Sequence, residues 1–447
     1  MNQILDQSDL TARAERLVAA AKRAGADAAD AVCVRGISLS VEVRLGKVEE
    51  IGRSEGDDFT LRTFVGKRSA TVSANVLTDP VELAERAVAM ARVAPEDRFA
   101  GLADAASLAR SFADLDLLDP TMPSAKELTD AALAVEDAAR AVPGVTNSGG
   151  ASAGWSLGGL VLATSHGFAG SYLGSHFGLS ASAIAGSGTG MERDYEGETK
   201  IHRSDLRSPD EIGRKAGEKA VRRLNPRKIA TGMAAVVYDP RVATGLIGHL
   251  SGAINGAAIA RKTSFLRDKL GAELFPTSVR ITDDPTRRRG LGSRPFDGEG
   301  IAGAPLDVVS DGVLRTWFLD TATGRELGLP TNGRASRGGG NPSPGSTNLT
   351  LLPGEETPEE LIAAVGTGLY VTELIGHGVN MNTGDYSRGA AGFVIENGKL
   401  GHPVSEITIA GNLLDMYRTL RVANDLVYRY AMNAPTVAVE GLTVAGN

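Results

Sequence analysis

A change of hydrophobic period within the first 65 residues limits what this chain can fold into more than any other feature. Residues 9–24 put Leu10, Leu17, Val18 and Ala21 on one helical face and stop at Gly25, a residue suited to the left-handed backbone that closes helices. From Ile37 the period drops to two. Ile37, Leu39, Val41, Val43 and Leu45 alternate with polar or small residues, and Gly46-Lys47 turns the chain into Val48–Ile51. This predicts antiparallel strands with one buried face. A second strand pair is expected at Phe59–Val65 and Ser69–Val76. Asp79-Pro80 then opens a helix through Arg92, proline being tolerated where its missing N–H would have no intrahelical partner.

The same signals organise the rest. Ser124, with Glu127 three residues on, forms a capping box for a helix to about Ala141. Residues 144–200 are glycine-rich with strand-like runs at Leu157–Thr164 and Gly170–Ala183, suggesting a meander. Ser208-Pro209-Asp210-Glu211 opens a basic helix that ends before Asn225-Pro226, and the main domain boundary is placed there. The expected organisation is an N-terminal region over 1–225, with a sub-boundary near 100–124, and a C-terminal domain over 226–447. The second half opens with a strand, Met233–Tyr238, and a helix from Asp239-Pro240 through about Ala260. Gly248, Gly252 and Gly256 recur on that helix every four residues, at a cost of about 1 kcal/mol each relative to Ala, as a stripe that lets another backbone approach. Thr357-Pro358-Glu359-Glu360 caps a further helix, and strands are expected at Phe393–Ile395 and Val437–Val444. The fold class is α+β: a helix-plus-antiparallel-sheet region followed by a strand-rich mixed α/β domain.

Composition excludes several function classes. Lys plus Arg is 47 and Asp plus Glu is 54, and a net charge of -7 argues against a general polyanion binder. A single cysteine, Cys33, leaves no intrachain disulfide and no thiolate cluster, which fits a reducing cytoplasm. The charged opening reads as an amphipathic helix rather than a signal peptide, and no run of about 18 apolar residues suggests a membrane span. A soluble cytoplasmic protein is expected.

The candidate chemistry is sparse. None of the 6 histidines has metalloprotease spacing, although His166 and His176 would share a face on one continuous strand, with Glu192 or Asp194 as a carboxylate ligand. Gly150-Ala151-Ser152-Ala153-Gly154 matches the nucleophile-elbow pattern, but Leu157–Thr164 is strand-like where a helix is required. Gly186–Gly190 reads as a flexible turn. Seven Lys or Arg against one Glu between Arg214 and Lys228 form a solvated helix face or an electrostatic patch. Two segments are more constrained than ordinary loops: Asn341–Asn348 (NPSPGSTN), containing Ser343, and Asn380–Gly392, which sets Asp385, Tyr386 and Arg388 between glycines. Rigid loops of this kind position a peptide or a partner.

At these segments the chain resembles the PmbA/TldE branch of the TldD/PmbA family, through GHGVNMNTGDYSRGAAGFVIENGKLGHPVSEITIAGNLLDM, the preceding GGGNPSPGSTNL, the terminal EGLTVAG and the early VEVRLGKVEEIGRSE. The resemblance covers essentially the whole chain. It implies a metallopeptidase-type C-terminal domain and a heterodimer with a TldD-type paralogue, whose helix carries His-Glu-x-x-x-His and whose C-terminal cysteine adds a zinc ligand. Aligned through Arg261-Lys262-Thr263-Ser264, this chain has Gly248, His249 and Ala253 at those helix positions. A one-residue slide gives His249, Leu250 and Ile254, and no cysteine follows Cys33. A hydrolytic zinc takes about three protein ligands and a general base, so zinc is expected in the partner and none in this chain.

The resemblance therefore implies a non-catalytic subunit of a heterodimeric metallopeptidase acting on unfolded peptides or peptide precursors. Gly248, His249, Gly252, Asn341, Ser343, Asn380, Asp385, Tyr386 and Arg388 are its candidate substrate or partner contacts. A homodimer is the alternative when the paralogue is missing, and neither membrane nor nucleic acid is an expected partner. Two rivals remain. One is an autonomous metallopeptidase using His166, His176 or His249. The other is a regulatory binding protein acting on a nucleic-acid enzyme, following the family's older description as a modulator of DNA gyrase.

Overall fold

A computed structural model describes residues 5–75 and 78–446 of the chain; Met1–Ile4 of the predicted opening helix and Val76 of a predicted strand lie outside the described residues. The chain is mixed α and β. Six antiparallel strands form the first sheet: β1 (Ala28–Arg44), β2 (Lys47–Val65), β3 (Arg68–Asn75), β4 (Val145–Thr164), β5 (Ala169–Ala185) and β6 (Glu192–Lys200), in the order β3-β2-β1-β4-β5-β6. Its helices are α1 (Ser8–Arg23), α2 (Pro80–Val93), α3 (Ala125–Arg140) and α4 (Pro209–Arg222).

Register explains where these helices sit. Odd-numbered residues of β1 and β4 share one face, because successive side chains alternate across a strand. At one end of that face Ala29, Ala31, Cys33, Val161 and Ala163 pack under α1 and α2, against Leu17 and Leu83. At the other end Val41, Val43, Ala151 and Ala153 pack under α3 and α4. Helices α3 and α4 approach backbone to backbone: a Cβ on Gly213 would lie 2.1 Å from the Val135 carbonyl oxygen. Only glycine fits there.

The predicted short strands prove to be parts of longer ones. β1 begins at Ala28, nine residues before the alternation, because Ala29–Cys33 is buried on both faces and cannot alternate. β2 runs unbroken through the largely exposed stretch 47–58, which is held in the sheet by its pairing with β1. β4 and β5 likewise extend the predicted runs back to Val145 and on to Ala185.

After residue 231 the elements are β7 (Gly232–Tyr238), α5 (Pro240–Ala253), α6 (Gly256–Ala260), β8 (Ile281–Asp283), β9 (Leu306–Ser310), β10 (Val313–Leu314), α7 (Thr321–Leu327), β11 (Ala335–Ser336), β12 (Ser343–Pro344), β13 (Leu349–Leu351), α8 (Pro358–Val365), β14 (Gly368–Val379), β15 (Asp385–Glu396), β16 (Lys399–Asn412), α9 (Leu413–Arg418), β17 (Arg421–Val422), β18 (Met432–Asn433) and β19 (Val437–Ala445). One sheet has the order β16-β15-β14-β7-β19-β17, and the additional pairing of β16 with β19 closes it into a barrel-like ring. A smaller sheet, β10-β9-β8-β13-β18, shares its core with that ring. Leu246, Ile247 and Leu250 of α5 fill that core.

The single helix expected over 239–260 is two. Asn255 ends the run by accepting from the Ala257 N–H at 3.0 Å, starting α6, while its amide donates to the Pro344 carbonyl at 2.6 Å. Among the described residues no helix is long and apolar enough to cross a membrane.

The even-numbered face of the first sheet receives the second half of the chain. Val32, Leu160 and Leu162 meet Phe168 and Phe296. Asp30 takes charged hydrogen bonds from Arg62 of β2, the shortest at 2.5 Å, and from Arg337 at 2.7 Å. Burial alone would push the Asp30 carboxyl up, but the two guanidiniums outweigh it and hold it below the usual carboxylate range. Thr60 donates to the Gly339 carbonyl at 2.5 Å.

Candidate functional site

Helix α5 carries the centre of the site. Asp239 caps it by accepting from the Arg241 N–H at 3.0 Å, and Pro240 occupies its first turn. With the aliphatic stripe turned into the core, Gly248, His249 and Gly252 remain partly accessible. The glycines meet side chains: Cβ atoms built there would lie 3.8 Å from Met432 Sδ at Gly248 and 3.3 Å from Met381 Cε at Gly252. Close backbone approach occurs at Gly256, on the other helix, where a Cβ would lie 2.7 Å from the Phe318 carbonyl oxygen. The three glycines therefore do not form one continuous stripe.

His249 lies edge-on to Tyr386 of β15, ring centroids 6.0 Å apart and planes at 74°. Burial, and then the positive charge of Arg388, push the His249 pKa down, so the imidazole is neutral at pH 7. Tyr386 is buried and its phenol is pushed up to about 12 by that burial. Its hydroxyl and that of Tyr238 on β7 influence each other, yet neither completes a hydrogen bond. Arg388 Nε donates to the Ile375 carbonyl at 3.3 Å.

The constrained segment after Asn380 proves to be a tight turn and then a strand. The Asn380 carbonyl accepts from the Gly384 N–H at 2.8 Å, and its side chain accepts from the Asn382 N–H at 3.0 Å. Asp385 accepts from the Thr383 hydroxyl at 2.6 Å and from the Asn412 amide at 3.3 Å, pinning the turn to the end of β16. Asp385, Tyr386 and Arg388 then lie in β15, where they were expected in a loop, because pairing with β14 and β16 satisfies their backbone groups.

Asn341 and Ser343 lie elsewhere, at the junction with the first sheet. Asn341 Oδ1 accepts from the Thr71 hydroxyl at 2.6 Å, and Ser343 pairs with Ser336 in the two-stranded β11-β12 ribbon. The same segment is tied to α5 through Ser346, which accepts from the Ser251 hydroxyl at 3.3 Å. Thus α5 touches both constrained segments, but the nine candidates divide into a His249–Tyr386–Arg388 group beside the 380–385 turn and an Asn341–Ser343 pair.

Most of the other sequence candidates have structural partners. His166 follows β4 and its Nδ1 lies 2.8 Å from the Ala103 carbonyl, while His176 is on β5, so the two do not share a continuous strand. Asp194 is bonded to Arg241 at 2.8 Å. Ser152 sits within β4, its hydroxyl 2.8 Å from that of Ser180. Much of the basic run is paired: Arg214 with Glu218, Lys215 with Glu211, Lys219 with Glu196, Arg223 with Glu373 and Lys228 with Glu406. Among the described residues no three His, Cys, Asp or Glu side chains converge as a metal-sized cluster. Sequence reading missed Tyr238, Asp30, Arg294 and Arg337. Tyr238 stands directly before the Asp239-Pro240 cap, but an arginine beside glycines, as at 337, carries no distinctive spacing.

Comparison with known proteins bears on this arrangement. Residues 231–446 match the PmbA/TldA metallopeptidase C-terminal domain, residues 118–224 the central domain and residues 29–91 domain 1 of the same family. The chain is 37% identical to Metalloprotease PmbA of Escherichia coli over 425 residues, covering 94% of this chain and 92% of that one. A crystal structure from Bacteroides thetaiotaomicron, described as a candidate modulator of DNA gyrase, is 28% identical and superposes with a TM-score of 0.90 over 98% of this chain and 99% of the other. TldE from Thermococcus kodakarensis, at 19% identity, shares the fold with a TM-score of 0.85 over 97% of this chain and 100% of its own.

Proposed function

The chain belongs to the PmbA/TldD metallopeptidase family, and on that premise we propose that it is the PmbA/TldE-type, non-catalytic subunit of a heterodimeric cytoplasmic metallopeptidase. Its TldD-type partner carries out hydrolysis. This chain completes the chamber and helps to hold an extended, unfolded peptide or peptide precursor. Main-chain pairing with an exposed strand holds such a substrate with little sequence preference.

The observation that carries this reading is what surrounds His249. A hydrolytic zinc takes about three protein ligands and a base. Here the histidine of α5 is followed by Leu250, faces the Tyr386 ring and feels the cationic Arg388, whose charge disfavours a second cation. The residues present do not fit the family's zinc. Cys33 is buried in the first sheet under α1 and α2, far in sequence from α5, and burial pushes its thiol up to about 12, so a thiolate ligand is not available there.

Metal analysis of the purified chain after equilibration with excess zinc and removal of the free ion tests this reading. The expected result is zinc well below one equivalent, unchanged by His249→Ala. One equivalent of tightly held zinc that disappears in H249A would make the autonomous-peptidase reading the correct one.

A further inference from the structure

A second site lies away from α5, in the cleft between the even-numbered face of the first sheet and the second half of the chain. Its volume is about 270 Å3, and its walls include Leu160, Tyr172 and His176 on one side and Leu291, Arg294 and Arg337 on the other. The two arginines are unusual. Arg337 has a fully buried side chain that donates from Nε to the Gly340 carbonyl at 2.9 Å and from Nη2 to Asp30 at 2.7 Å, while its Nη1 has no partner. Arg294 has both Nε and Nη2 buried and unpartnered. A buried donor left unmade costs about 1–3 kcal/mol, and more when it is charged.

The charge balance leaves room for an anion. Asp30 is shared by Arg62 and Arg337, so this trio carries one positive charge in excess. Asp297, which faces Arg294 electrostatically, spends its oxygens on the Glu299, Ile301 and Ala335 N–H groups. Burial pushes the Asp297 carboxyl up and that of neighbouring Glu299 to about 7, weakening the negative field on this side. Arg334, the next guanidinium, is already committed to Asp283 at 2.5 Å.

From Arg294 and Arg337, which line one cleft and each keep buried guanidinium nitrogens without a partner, we infer that this inter-domain cleft binds a small molecule through its oxyanion, a carboxylate or a phosphate. Guanidinium forks match both groups. The volume falls just below the range of about 300–1,000 Å3 usual for ligand pockets, which restricts the ligand to a small one. The apolar Leu160 and Leu291 give its non-ionic part a surface to rest on.

Calorimetric titration of the isolated full chain at constant ionic strength tests this with inorganic phosphate, N-acetylglycine and N-acetylglycinamide. One-to-one saturable binding is expected for phosphate or for N-acetylglycine, with none for the amide; whichever anion binds identifies the source of the oxyanion. Arg294→Gln should weaken binding about tenfold or more. In the wild-type protein, the His176 imidazole resonance should shift along the same saturation curve, a readout that does not depend on the variant folding. The inference is overturned if neither anion binds, if the amide binds as well as the acid, or if binding leaves both R294Q affinity and the His176 resonance unchanged. No partner or cleavage enters these measurements, so their failure leaves the proposed subunit role untouched.

Discussion

The two faces of the first sheet are built from the same six strands and are stabilised in different ways. The odd-numbered face is covered by the sheet's own helices and filled with small and aliphatic side chains such as Ala29, Ala31, Val41 and Val161. The even-numbered face meets the second half of the chain through aromatic rings, an Asp30–Arg62–Arg337 trio and a polar cleft. One face is a core and the other is an interface between halves. The difference teaches that the Asp30 charge cluster spans the two layers, while apolar packing fills the space between the first sheet and its own helices.

The largest effect should come from breaking the trio. Asp30→Ala leaves Arg62 and Arg337 buried without their carboxylate, and a loss of about 3–5 kcal/mol in urea denaturation is expected. On the other face Leu17→Ala removes a fully buried side chain of α1 and should cost about 2–4 kcal/mol by the same assay. A D30A cost below that of L17A would erase the contrast drawn between the faces.

Glu299 sharpens the contrast through pH. Its carboxyl, buried and next to Asp297, titrates at about 7 in the folded chain, well above an ordinary glutamate. Between those two values the folded protein keeps a proton that the unfolded chain has lost. Its contribution to stability is therefore fully present below the unfolded pKa and lost as the pH rises through about 7. Glu299→Gln, which can still accept from Thr321, should flatten that decline and make the protein about 1–3 kcal/mol more stable than wild type at pH 8, with little difference at pH 4. An unchanged pH profile in E299Q would mean that the interface does not hold this proton. The smallest effect on stability belongs to Arg294→Gln: it removes the buried, unpartnered Nε and Nη2, so a gain of about 1 kcal/mol is expected in the absence of an anion.

This contrast also governs how much could be read from the sequence. Ile37–Val43 alternates visibly because that part of β1 is buried mainly on one face, although Leu45, expected on the same face, lies exposed in the turn that follows; Ala29–Cys33 is buried on both faces and has no period to read. The exposed 47–58 stretch of β2 is a strand only through its pairing with β1, which local pattern does not record. Caps at Ser124, Ser208, Asp239 and Thr357 were legible because each is a local hydrogen bond between a side chain and the backbone a few residues on. At the candidate site, Tyr386 and Arg388 stood out by their glycine setting, but their meeting with His249 joins residues more than a hundred positions apart. The Arg294 and Arg337 cleft likewise depends on which faces dock, and no spacing in the chain encodes it.

The most direct test of the central claim is cleavage of an unstructured peptide by this chain alone, by a zinc-loaded TldD-type paralogue alone, and by the two mixed. The account predicts cleavage confined to the mixture, unaffected by His249→Ala in this chain beyond a change in KM. Chelator-sensitive cleavage by this chain alone, abolished in H249A, would contradict it.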